Sequence, residues 1–99
     1  MIWHIVRFDM RHLDAAVRQE VEASLAELDR LDEVAWSRVA RDVEDPAYTG
    51  LLTGFADADA LAAYRVHPDH LPVVERLREL EVPAVRLDVA TDDDPAALP

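Results

Sequence analysis

Residues 2–8, Ile2-Trp3-His4-Ile5-Val6-Arg7-Phe8, alternate as a strand does but carry bulky apolar side chains on both faces. Ile2, His4, Val6 and Phe8 point one way, Trp3, Ile5 and Arg7 the other. A strand with one face in water is apolar on the other face alone, so this one requires cover on both sides. The chain has 99 residues, enough for one core but not for two. Its own helices can cover one face of the sheet. The other is expected to be covered by a second copy, which makes the chain a homodimer.

The remaining pattern supplies those helices. Leu13, Val17, Val21, Leu25, Leu28 and Leu31 recur every three or four residues, predicting an amphipathic helix with Asp14 as its N-cap. Residues 34–43 alternate again, Glu44-Asp45-Pro46 marks a turn, and Ala47–Phe55 completes a hairpin. Gly50 and Gly54, the two glycines of the protein, indicate close packing or a bulge there. Asp57 caps a short helix through Val66 with Leu61 and Tyr64 on one face, and His67-Pro68 interrupts it. A third helix is predicted from Pro68 to about Leu80. Pro72 falls one turn into it and should kink it or restart it near Leu71, beside His70. Pro83 leads into a last strand, Ala84–Ala90. Residues 91–99, with three consecutive Asp and two Pro, are expected to be a disordered acidic tail beyond a domain of residues 1–90. The order βαββααβ is that of an α+β, ferredoxin-like plait: one antiparallel sheet with helices on one face.

Composition narrows the chemistry by what it lacks. The net charge is −11, with 21 acids against 10 bases, so neither nucleic acid nor an anionic membrane surface is an expected partner. No apolar run approaches the ~18 residues needed to span a bilayer. Met1-Ile2-Trp3-His4 does not open a signal peptide, so a cytoplasmic location is expected. With no cysteine there is no disulfide, no thiolate nucleophile and no thiolate-bound metal. With no lysine there is no side-chain Schiff base, which excludes an amine-type aldolase or a pyridoxal-phosphate enzyme. Both glycines lie in the hairpin, so there is no Gly-rich phosphate loop, and neither serine, Ser24 nor Ser37, has the setting of a hydrolase nucleophile. No His-Glu-x-x-His pattern occurs, and neither metal nor organic cofactor is expected.

Three segments together resemble the stress-responsive A/B barrel (Dabb) family. They are the first strand, Met1 to Phe8; the stretch Tyr48–Phe55 followed by Asp57-Ala58-Asp59-Ala60-Leu61; and Tyr64-Arg65-Val66-His67-Pro68-Asp69-His70. The last matches the family's Tyr-x-x-His-Pro-x-His segment at the same spacing. The resemblance covers residues 1–90 and implies a plait whose sheet pairs with that of a second subunit to form a dimeric α/β barrel. Some family members are polyketide cyclases that close a poly-β-keto chain by intramolecular aldol condensation without a cofactor. In the plant cyclase that forms an aromatic acid, the essential pair is the Tyr and the second His of this segment, with a strand-one His in the same cavity. Here those positions are Tyr64, His70 and His4.

The residues can be read physically in the same terms. Aldol closure needs a base to remove a proton between two carbonyls and a donor for the resulting enolate oxygen. Histidine suits the first task because its ordinary pKa of ~6.5 lies near working pH. Tyrosine can orient the imidazole or donate to the enolate. His70 as base and Tyr64 as its partner are therefore the candidate catalytic pair, with His4 and His67 as candidate substrate-binding residues on a small hydrophobic carbonyl compound or polyketide. A purely structural reading stands beside this one: Tyr64 as a core aromatic, His67 capping the next helix, His70 bonding nearby backbone, and His4 buried with one hydrogen bond. His12, before the first helix, reads as solvated. Two other functions stay open, a non-catalytic stress-responsive or ligand-binding dimer and a cofactor-free monooxygenase of the related dimeric α+β barrels.

Overall fold

The computed structural model describes residues 1–94. In chain order the elements are β1 (Ile2–Asp9), α1 (Ala15–Ala26), a 3-10 turn (Glu27–Arg30), β2 (Trp36–Arg41), β3 (Tyr48–Phe55), α2 (Ala58–Arg65), α3 (Leu71–Glu79) and β4 (Ala84–Ala90). The strands form one antiparallel sheet in the order β2-β3-β1-β4, the ferredoxin-like plait. β1 lies inside the sheet, with Ile2 opposite Phe55 of β3 and Ala90 of β4. Its inward residues Val6 and Phe8 join the core, while outward-facing Trp3 and Ile5 stay partly accessible in the described chain.

Val6 and Phe8 point to the helical side, where they pack with Val21, Leu25 and Leu28 of the first helical segment, Leu51 and Phe55 of β3, and Leu61 and Tyr64 of α2. Asp14 and Asp57 cap α1 and α2, accepting from the backbone N–H groups of Val17 and Ala60 at 2.9 and 2.8 Å. On the opposite side of the sheet the described chain places no helix. Leu52, Val85 and Leu87 stand exposed there, the last two at 58% each. Trp3 meets Trp36 edge-to-face on that side, with ring centroids 5.7 Å apart. Gly54 lies beneath the Trp36 indole, which a β-carbon would overlap.

Several boundaries differ from the sequence pattern. The first helical run relaxes into the 3-10 turn after Ala26. β2 is shorter than residues 34–43. The Val34 N–H donates to the Leu31 carbonyl, and the Asp42 carboxylate accepts from the N–H groups of Glu44 and Asp45 to make the turn. α3 begins at Leu71, not Pro68, so of the expected kink or restart it is the restart near Leu71 that occurs. Pro72 stands in the first turn, where its missing N–H would have had no helical partner. α3 ends with Glu81 in the left-handed region (φ 53°) and the Val82 N–H bonded back to the Leu77 carbonyl at 3.0 Å.

Part of the expected disordered tail, residues 95–99, lies outside the described residues. The part that is described is fastened to the sheet: the Thr91 N–H donates to the Met1 carbonyl at 2.9 Å, and the Trp3 indole N–H donates to the Asp93 carbonyl at 3.1 Å. Among the described residues no helix is long and apolar enough to cross a membrane.

Candidate active site

Between the helical face of the sheet and the helices lies a cavity of 610 Å³, within the usual range for small-molecule sites. Its apolar wall is built by Val6 and Phe8 of β1, Leu25 and Leu28 of the first helical segment, and Val73 and Leu77 of α3. His4, Tyr64 and His70 line it as well, so three of the four candidate residues share one space.

The alternation of β1 puts His4 on the inward face, opposite Thr53 on one side and Asp88 on the other. It is 8% exposed, and its Nδ1–H donates to the Asp88 carboxylate. Asp88 also takes Arg65 at 3.1 Å and Arg86 at 3.5 Å. Burial alone would push the Asp88 carboxyl up. The His4 hydrogen bond and the charges of His4, Arg65 and Arg86 outweigh that and hold it below the usual carboxylate range. Among the described residues no hydrogen bond engages the second nitrogen of His4.

Tyr64 occupies the last turn of α2, three residues after Leu61, and is almost fully buried. Its ring packs on Phe55 (4.9 Å between centroids), His70 (4.1 Å) and His4 (6.1 Å). The hydroxyl is buried with no hydrogen-bond partner among the described residues. Burial pushes its pKa up to about 12, so it keeps its proton throughout the physiological range.

The turn between α2 and α3 presents His70 to the cavity. Its N–H closes that turn on the His67 carbonyl at 2.9 Å, and its imidazole lies over Tyr64 at an interplanar angle of 34°. Nδ1 lies 3.3 Å from the Arg65 carbonyl, which can only accept, so Nδ1 carries the proton and Nε2 presents its lone pair. Burial lowers the His70 pKa, the Arg65 contact partly opposes this, and the nearby His4 and His67 lower it further. At neutral pH the ring is therefore uncharged, with one basic nitrogen to offer.

His67 does not line the cavity. Its Nδ1 accepts from the Asp69 N–H at 3.0 Å, and its Nε2 lies 3.7 Å from Glu33, which makes it a clasp between the α2–α3 turn and the approach to β2. His12 is also engaged rather than merely solvated: its Nε2–H donates to the Leu80 carbonyl at 2.8 Å, behind the C-terminus of α3. Asp88 was missed in the sequence pattern. The available signal was a charged residue on the inward side of the last strand, two residues from Arg86. Among the described residues no three His, Asp or Glu side chains converge as a cation site.

The model of the stress-responsive A/B barrel domain family matches residues 2–90. Among solved structures the chain is similar to a protein described as an antibiotic biosynthesis monooxygenase from Deinococcus radiodurans (TM-score 0.83, 14% identity, 95% of each chain covered). It is similar to SnoaB, a cofactor-independent oxygenase from Streptomyces nogalater (0.77, 19%, 95% of each chain). It is also similar to a dimeric protein of ferredoxin-like fold from Bacteroides fragilis (0.71, 19%, 91% of this chain and 95% of that one). No curated protein matches the chain.

Proposed function

The chain belongs to the stress-responsive A/B barrel family, and on that premise we propose that it is a cofactor-free enzyme that turns a reactive carbonyl compound into an enolate, most concretely a poly-β-keto chain that it then cyclises. The observation that carries the reading is the stacked Tyr64–His70 pair, facing a 610 Å³ cavity that His4 also lines.

The steps follow from the side chains. His70 Nε2 removes a proton from the carbon between two carbonyls, and the electron pair moves onto a carbonyl oxygen. The Tyr64 O–H donates to that oxygen from a site screened from water, where a hydrogen bond to developing charge counts for most. The enolate carbon attacks a distant carbonyl of the same molecule, forming the carbon–carbon bond. The new alkoxide takes the proton back from His70, which returns to neutral. His4, fixed by Asp88, borders the same space as a substrate-positioning donor or acceptor, while His67 acts through the turn that presents His70. The molecule works as a homodimer joined through the bare sheet face.

A second reading shares the first step and the fold of the Streptomyces nogalater oxygenase. There the enolate reacts with dioxygen instead, so that a methylene becomes a carbonyl and water leaves. Incubating poly-β-ketoacyl thioesters with the wild type, His70→Ala and Tyr64→Phe, in air and without oxygen, separates the two. A cyclised product in both atmospheres, reduced at least ~100-fold by His70→Ala, supports the cyclase. Product that needs oxygen supports the oxygenase. No product above the spontaneous background, or activity indifferent to both substitutions, defeats both and leaves a binding protein.

A further inference from the structure

The acids of this chain outnumber its bases by 21 to 10, yet no Asp or Glu lines the cavity while three of the ten arginines do, Arg65, Arg78 and Arg86. All three are substantially exposed as well as cavity-lining, with side chains 48%, 71% and 61% accessible, which places them at the mouth. Their protein partners do not neutralise them. Arg65 and Arg86 share the single carboxylate of Asp88, which His4 also engages, and Arg86 reaches it only through Nε at 3.5 Å. Arg78 pairs with Glu75 at 3.1 Å, an exposed contact across one helical turn that water screens heavily. Three guanidinium groups against two carboxylates leave one positive charge in excess, and no hydrogen bond engages the terminal nitrogens of Arg86 among the described residues. Behind this mouth the wall is apolar: Val73, Val74 and Leu77 of α3 and Val82 after it.

From this juxtaposition we infer that the cavity takes a ligand with an apolar body and one anionic group, the body lying against α3 and the anion held between Arg78 and Arg86. The inference rests on the cavity being the substrate site and adds a substrate class to it: a carbonyl compound carrying an ionised carboxylate, or the phosphate of a carrier, rather than a neutral one. A guanidinium matches either group bidentately.

The test uses unreactive probes, so it does not depend on turnover. Decanoate, decyl phosphate and decan-1-ol are titrated calorimetrically into the wild type and into an Arg78→Gln/Arg86→Gln variant at low salt and neutral pH. Both arginines are exposed, and circular dichroism and melting check the fold of the variant. The expected result is that an anionic probe binds about five- to tenfold tighter than the alcohol, as two partly exposed charge contacts allow. The double substitution should remove that preference without weakening the alcohol, and added salt should reduce it. Tighter binding of the phosphate than of decanoate supports the inference and assigns the anion to a carrier; the reverse assigns it to the substrate. Equal binding of acid and alcohol, a preference that survives the double substitution, or no binding of any probe overturns it. A retained anion preference without turnover of any ketide would defeat the proposed reaction and leave this inference standing.

Discussion

Tyr64 and His70 pack ring on ring at a 34° tilt rather than joining by a hydrogen bond, and the proposed reaction gives them separate tasks. His70 spends Nδ1 on the Arg65 carbonyl and keeps Nε2 as a base. Because burial lowers its pKa, kcat/KM should fall on the acid side with a midpoint below the ordinary 6.5. The sign is fixed by the role: a base is lost by protonation, and a depressed pKa moves that loss to lower pH. A pH–rate profile checks it, and a midpoint above 6.5 would contradict it. Tyr64→Phe should separate stability from catalysis. The lost hydroxyl is buried and unpartnered, so chemical denaturation should show unchanged stability or a gain of up to about 1 kcal/mol. Turnover should nevertheless fall roughly 100-fold, as expected for one donor to developing charge. The spacing of Tyr64 and His70 was legible in the sequence because one local segment holds both. The His4–Asp88 pair was not, since 84 residues separate its members and only the β1–β4 register brings them together.

Helix ends decide how the cavity is bounded, and here the sequence was clear where a side chain caps and obscure where backbone geometry does. Asp14 and Asp57 announced the starts of α1 and α2 because their carboxylates do the capping. Pro72 left a kink and a restart near Leu71 both open because its position within α3 depends on where the preceding turn closes, which three backbone bonds from His70, Leu71 and Val73 determine. Glu81 gave no signal, since Gly or Asn usually occupies a left-handed helix end. A β-carbon there carries a conformational cost, so Glu81→Gly should stabilise the protein by about 1 kcal/mol in urea unfolding. A loss of stability would mean that the Glu81 side chain makes a contribution larger than its strain.

At the scale of the whole molecule, β1 forecast the architecture because bulky apolar residues on both of its faces call for cover on both sides of the sheet. One face packs against the helices, and the other leaves Leu52, Val85 and Leu87 exposed beside half-buried Ile5, with no helix of the described chain upon them. The wild type should therefore sediment at twice the monomer mass at micromolar concentration, and Leu87→Asp should shift it to monomer while the helical content persists. A monomeric wild type would refute the pairing. The proposed reaction depends at every scale on one event, removal of a proton beside a carbonyl. The most direct measurement follows loss of the α-proton signal of a 2-methyl-3-oxoacyl thioester in D2O by proton NMR. Exchange above the buffer rate that drops at least ~100-fold in His70→Gln is the predicted result. Exchange at the buffer rate with the wild type, or exchange that His70→Gln leaves intact, would contradict it.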